Sequence, residues 1–165
     1  MKVIEVESSF GLGGGQRVVE SISVGMRSMG VDVGVVSLFD NHTVITDNIE
    51  AAGIHIEYMG KTRGLDVSMI GKLREYFLAE RPDVVHTHLH TAKYAITAAK
   101  QAGIPAIVHT VHNVADKELP PFDRVIQKSF YRRHVAVPVA ISPIVRNSVS
   151  NLYGIPVDKI PMIYN

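Results

Sequence analysis

No cysteine occurs among the 165 residues. That excludes disulfides and thiolate metal sites, and it fits a reducing compartment. Charge of one sign is also scarce: 17 lysines and arginines oppose 16 acidic residues, leaving a formal net charge of +1. This balance supplies no long-range attraction for nucleic acid, and no basic block or aromatic-interleaved patch supplies a local one. Long apolar runs are missing as well. None approaches the ~20 residues of a membrane span, and the apolar run that follows Met1 and Lys2 is too short for the core of a signal peptide. These absences point to a cytoplasmic protein. What remains, 46% hydrophobic and 20% charged residues, is ordinary for a globular chain, and the length suits one domain with one core.

Apolar runs alternate with helical periodicity along the chain. Val3–Val6, Val31–Phe39, Ile54–Tyr58, Asp83–His88, Pro105–Val111 and Val135–Ile141 read as strands, with Ile160–Tyr164 as a last one. Between them, Val18, Ile22, Met26 and Met29 define a helix face. Further helices are expected over residues 43–52, around Met69, Leu73 and Phe77, after a Thr91 cap, over about 122–134, and after Ser142-Pro143, an N-cap followed by proline at the first helical position. Residues 112–121 read as a loop. Strands that are apolar throughout, separated by helices, predict a Rossmann-like doubly wound α/β domain: a mostly parallel sheet with helices on both faces. Such sheets bind ligands beyond the carboxyl ends of their strands. The glycine turn, His86, His88, His112, Asn113 and Ser142 are therefore expected along one edge.

Gly11, Gly13, Gly14 and Gly15 lie between the first strand and its helix. Backbone without side chains lets N–H groups at a helix N-terminus approach an anion, so the turn suits a phosphate. The alternative is a turn that uses glycine only for its backbone freedom. A dinucleotide fingerprint fails at its third glycine: Gln16 or Val18 stands there, depending on the starting point. Asp40, past the second strand, still leaves a nicotinamide reading open. His86 and His88 share one face of a strand and could chelate a metal, but the spacing supplies no third ligand, so hydrogen-bonding roles are preferred and no metal is expected. His109 reads as a core histidine, whereas His112 sits at a strand end. Lys61, Arg63, Lys93, Arg124, Arg132 and Arg133 could meet an anionic acceptor or serve as solvated surface.

Five segments in order, Gly-Gly-Gly-Gln-Arg-Val-Val (13–19), Pro-Asp-Val-Val-His-Thr-His (82–88), Val-His-Thr-Val-His-Asn (108–113), Ala-Ile-Ser-Pro (140–143) and Asp-Lys-Ile-Pro-Met-Ile-Tyr-Asn (158–165), resemble the N-terminal domain of family 4 retaining glycosyltransferases. The resemblance covers the whole chain and departs at Gln16, where the family often has glutamate. It implies half of a GT-B fold, in which two Rossmann-like domains face each other across a cleft. Residues 1–165 would be the acceptor-side domain, Asn165 would lie at the hinge, and the nucleotide-sugar-binding domain would be absent from this chain. The resemblance further implies sugar transfer without metal or cofactor, the nucleotide-sugar being a co-substrate, and inactivity of this half alone. It places His112 at the donor sugar as the catalytic residue. The Gly13, Gly14 and Gly15 amides would hold the donor phosphate. Lys61, Arg63, His88, Asn113 and Ser142 are assigned to a carbohydrate, lipid-linked or small-molecule acceptor, which leaves room for a location at the inner membrane face. Two other readings are a stand-alone module that binds a phosphorylated sugar and a nicotinamide-dependent oxidoreductase domain.

Overall fold

The computed structural model describes residues 1–164; Asn165, and with it the expected hinge position, lies outside the described residues. Six strands form one sheet: β1 (Lys2–Glu7), β2 (Asp32–Ser37), β3 (Ile56–Tyr58), β4 (Val84–His88), β5 (Ala106–Val111) and β6 (Val137–Ala140). Every pairing is parallel and the order is β3-β2-β1-β4-β5-β6. The seven α-helices are α1 (Gly14–Ser28), α2 (Val44–Ala51), α3 (Ser68–Glu80), α4 (Ala92–Gln101), α5 (Ala115–Glu118), α6 (Pro121–Arg132) and α7 (Pro143–Tyr153).

The chain winds outward from β1 to β3, then crosses back and winds from β4 to β6. Right-handed crossovers put α1 and α2 on one face of the sheet and α3, α4, α6 and α7 on the other. Side chains alternating across β1 feed two cores. Ile4 and Val6 join Leu73, Phe77 and Val85 under the larger helical layer. The opposite face buries Phe10, Val19, Val35, Ile45 and Ile49 beneath α1 and α2. Strand order reverses between β1 and β4, so the loops after these two strands part there and leave a crevice at the carboxyl edge.

Local signals account for the element ends. The Thr43 hydroxyl accepts a hydrogen bond from the Ile45 amide at 3.3 Å, and the Thr46 hydroxyl accepts one from the Thr43 amide at 2.9 Å, which caps α2. Ser142 caps α7 by accepting from the Val145 amide at 3.3 Å, and Gly154 ends that helix in the left-handed conformation (φ 69°).

Several expectations are corrected. Ile160–Tyr164 forms no strand. Only Met162 bridges Ala140, because Pro156 and a short 3₁₀ turn over Val157–Lys159 precede it and leave room for one turn of pairing. The 112–121 loop contains α5, whose Ala115 and Glu118 are buried against α7. Thr91 stands at the N-cap position of α4, but its side chain makes no capping bond there. It closes a 3₁₀ turn over Leu89–Thr91, where its hydroxyl donates to the His88 carbonyl at 2.7 Å. On α1 the fully buried residues are Val19 and Ser23, and Met29 is exposed. Val18 and Ile22 instead flank an apolar groove with Val108 of β5 and Val139 of β6.

Candidate functional site

α1 begins with its backbone donors free. Its N-cap, Gly13, is extended (φ −91°, ψ 167°) and has no side-chain cap, and no acidic residue lies in the first turn. The first intrahelical bond is Arg17 N–H to the Gly13 carbonyl at 3.2 Å, so the amides of Gly14, Gly15 and Gln16 have no partner within the helix. Gly11, Gly13 and Gly14 are exposed. A Cβ on Gly14 would touch nothing, whereas one on Gly15 would lie 3.1 Å from Leu89 Cδ1 and 3.9 Å from His112 Cγ. A Cβ on Gly13 would lie 2.5 Å from Gln16 Oε1, so the Gln16 side chain folds back over the cap, while the bend is open at Gly14 and borders His112 at Gly15. Leu89, between them, holds a left-handed backbone (φ 48°), a strained conformation for a bulky residue.

Behind His112 lies a buried polar chain. Glu5 and His88 are both fully buried. One Glu5 oxygen lies 2.7 Å from His88 Nε2 and 3.0 Å from His86 Nδ1. His88 Nδ1 is 2.9 Å from His112 Nε2, and His86 Nε2 is 2.7 Å from Thr110 Oγ1. Burial pushes the Glu5 carboxyl pKa up. The attraction of His86 and the hydrogen bonds from His86 and His88 outweigh it and hold that pKa at about 2, so Glu5 is ionised. Desolvation lowers His88 to about 3 and His112 to about 4, so both imidazoles are neutral at physiological pH.

Glu7, two residues further along β1, differs. Its Oε1 accepts from the Ser8 amide at 2.7 Å and the Ser8 hydroxyl at 3.0 Å. Its Oε2 is buried without a partner among the described residues. Burial raises its pKa to about 7 against the hydrogen bonds from Ser8, Ser9 and Gln16. Gln16, the position that departs from the resembled pattern, thus lies against a carboxyl poised to carry a proton.

A cleft of about 300 Å³ opens on the same edge, lined among others by Ser8, Phe39, Lys61, His90, Lys93 and Tyr94. Lys61 Nζ donates to the Thr62 and Gly64 carbonyls at 2.8 and 2.6 Å and lies over the Phe39 and Tyr94 rings. Lys93 pairs with Asp123 at 2.7 Å.

The structure gathers Gly13, Gly14, Gly15 and His112 at the crevice, with Lys61 in the adjoining cleft. Asn113 is exposed beside His112, its amide tied to Glu118 at 2.8 Å. Ser142 spends its hydroxyl on capping α7. One acceptor assignment is corrected. His88 is sealed behind His112 and out of reach of a ligand, because its ring is packed between Glu5 and the neighbouring imidazoles. Arg63 projects into solvent, and Gly64 rather than Arg63 lines the cleft. Glu5, Glu7, Phe39, His90 and Tyr94 escaped the sequence reading. The visible signal for Glu5 was one charged residue inside an apolar strand.

Glu5, His86 and His88 are also the one group among the described residues with ligand atoms close enough to hold a metal ion. Their contacts of 2.7 and 3.0 Å are hydrogen-bond distances. Through these hydrogen bonds the three groups share protons.

Comparison with known proteins places this geometry. The family model described as Glycosyltransferase Family 4 matches residues 12–165. No protein of curated function matches the sequence. Among solved structures, Anabaena HepE in complex with UDP and glucose is 15% identical with a TM-score of 0.80, over 100% of this chain and 44% of its own. The galactosyltransferase WaaB of the lipopolysaccharide outer core, in its apo form, is 18% identical with a TM-score of 0.79, over 100% of this chain and 46% of its own. A glycosyltransferase from Rickettsia africae is 19% identical with a TM-score of 0.78, over 99% of this chain and 42% of its own. At these identities the likeness is one of fold, and the chain spans less than half the length of each.

Proposed function

The chain belongs to glycosyltransferase family 4, and from that premise we propose that it is the acceptor-side half of a retaining, nucleotide-sugar-dependent glycosyltransferase. The observation that carries this reading is the convergence of the uncapped α1 N-terminus with His112 at the point where strand order reverses. The donor is a nucleoside diphosphate sugar of the kind that HepE holds, UDP-linked in that relative. Its remaining contacts come from a second domain outside these residues.

In the proposed reaction the bond between the sugar's anomeric carbon and the β-phosphate oxygen breaks, and negative charge grows on that phosphate. The free amides of Gly14, Gly15 and Gln16, at the positive end of the helix dipole, stabilise this charge without reorganising. The acceptor hydroxyl attacks the anomeric carbon from the side the phosphate leaves. Its proton passes to the departing phosphate oxygen, so no separate base and no metal is needed. The Lys61 cleft holds the acceptor, its aromatic walls offering apolar faces and Lys61 a positive charge, that of Lys93 being paired with Asp123. No described helix is long and apolar enough to cross a membrane; a cytoplasmic enzyme reaching acceptors at the inner membrane face is part of this proposal.

The test compares this chain alone with the same chain joined to a donor-binding domain of the family, following nucleoside diphosphate release from UDP-glucose and other nucleotide-sugars. Release only from the joined protein, lost on His112→Ala, is the expected result. Turnover by residues 1–165 alone would refute the division of labour.

A further inference from the structure

Resting on that reading of His112, we propose that the buried pair Glu5–His88 is a tautomer lock: it keeps the His112 proton on Nε2 and presents a bare Nδ1 to the site, which therefore accepts a hydrogen bond from a ligand hydroxyl and turns away an anionic oxygen. Glu5 and His88 touch no ligand; they are positioning residues.

The lock follows from donor and acceptor counts. An ionised Glu5 only accepts, so at 2.7 Å His88 must donate from Nε2. A neutral imidazole carries one N–H, which leaves His88 Nδ1 as an acceptor. The 2.9 Å contact to His112 then requires His112 to donate from Nε2. His112, itself neutral, has no second proton for Nδ1. That atom has no partner among the described residues and is not among the buried unpartnered atoms, so it is accessible to solvent, on a ring whose Cγ lies 3.9 Å from where a Gly15 Cβ would stand. His86 completes the arrangement without altering it, since it binds Glu5 through Nδ1 and Thr110 through Nε2.

The result is a division of polarity across a few ångströms. The α1 amides offer only donors and suit phosphate oxygens, whereas His112 Nδ1 offers only a lone pair and suits a sugar hydroxyl. A nucleotide-sugar presents those two groups side by side, so the lock orients the ligand as well as the imidazole.

Long-range ¹⁵N–¹H spectra of the labelled full chain near neutral pH read the tautomer directly. Expected are a protonated Nε2 and a bare Nδ1 on His112, with scalar coupling across the His112 Nε2–H to His88 Nδ1 bond. His88→Leu should turn His112 into a mixture of tautomers. His88→Asn, which places Oδ1 near the lost Nδ1, should restore the single form. In the joined enzyme, His88→Leu should lower transfer about ten- to a hundredfold, the cost of one misdirected buried hydrogen bond, and His88→Asn should recover most of it. A wild-type His112 protonated on Nδ1 overturns the proposal even if no variant folds. So does a His88→Leu spectrum with the tautomer unchanged, or zinc chloride moving the His86 and His88 signals together with the His112 proton. The spectra need no turnover, so failure of the lock and failure of the glycosyltransferase reading are seen separately.

Discussion

Glu5 and Glu7 stand two residues apart on β1, point to the same face and are both fully buried, yet they are held in opposite states. Glu5 meets two imidazoles and is ionised far below the ordinary carboxylate range. Glu7 meets no cation among the described residues, only the donors of Ser8, Ser9 and Gln16, keeps one oxygen unpartnered, and takes up a proton at about 7. Burial alone does not decide the charge of a carboxyl; the groups that face it do. The interior end of the strand is electrostatically closed, and the rim end, where β1 runs into the glycine bend, is left open.

The largest test of this contrast is deletion of each carboxyl. Glu5→Ala leaves the buried His88 N–H and the half-buried His86 N–H without their acceptor and should cost about 2–5 kcal/mol in urea unfolding, at ~1–3 kcal/mol per stranded donor. Glu7→Gln keeps the Ser8 hydrogen bonds and should cost under ~1 kcal/mol at about pH 4, where Glu7 is itself uncharged. Equal losses would erase the distinction between the two ends.

The pH dependence separates the two glutamates by sign. Glu7 is raised from its ordinary 4.5 to about 7. Its contribution is full below 4.5 and is lost as pH rises through 7, a swing of about 3 kcal/mol. Glu5 runs the other way: its contribution is present above 4.5 and lost as pH falls toward about 2. His88 and His112, lowered from 6.5 to about 3 and about 4, add stability above 6.5 that drains away as acid charges them. Glu7→Gln removes only the first of these. Its stability relative to the wild type should therefore rise by about 3 kcal/mol between about pH 4 and about pH 8. A constant difference across that range would place Glu7 among ordinary carboxylates.

The contrast also marks how far the residues alone could be read. Apolar runs gave the strands, and Gly30, Gly53 and Gly103, all at positive φ, ended helices where glycine is needed to turn the chain. The edge with the glycine bend and His112 followed from the doubly wound pattern. Glu5 did not follow. It meets His86 only because β1 pairs with β4 in a register that sets Glu5 opposite His86, 81 residues away. No spacing in the sequence encodes that neighbour, since strand order is a property of the whole sheet. The same limit hid the third partner of His86 and His88 and the burial of His88.

Gly14 probes the rim without disturbing the interior. A Cβ there meets nothing, and alanine is favoured over glycine in a helix by up to ~1 kcal/mol. Gly14→Ala should thus raise stability by roughly 0.5–1 kcal/mol. If the bare amides cradle a phosphate, the methyl should crowd it and lower transfer by the joined enzyme about tenfold or more. Greater stability with unchanged transfer would show that the bend is glycine-rich for its backbone alone.

The smallest expected effect sharpens the rim further. Arg63 is exposed and forms no ion pair or side-chain hydrogen bond among the described residues, so Arg63→Ala should stay within about 0.5 kcal/mol of wild type and leave the acceptor KM unchanged. Lys61 is different in kind, because its ammonium is held by two carbonyls and two aromatic faces at the cleft wall. Lys61→Ala should cost about 1 kcal/mol of stability from those lost contacts. It should also raise the acceptor KM while kcat changes little, the pattern of binding lost equally from ground and transition states. Were Arg63→Ala to raise KM as well, the acceptor would have to span both the cleft and the exposed loop, and the rim would extend beyond the crevice that β1 and β4 define.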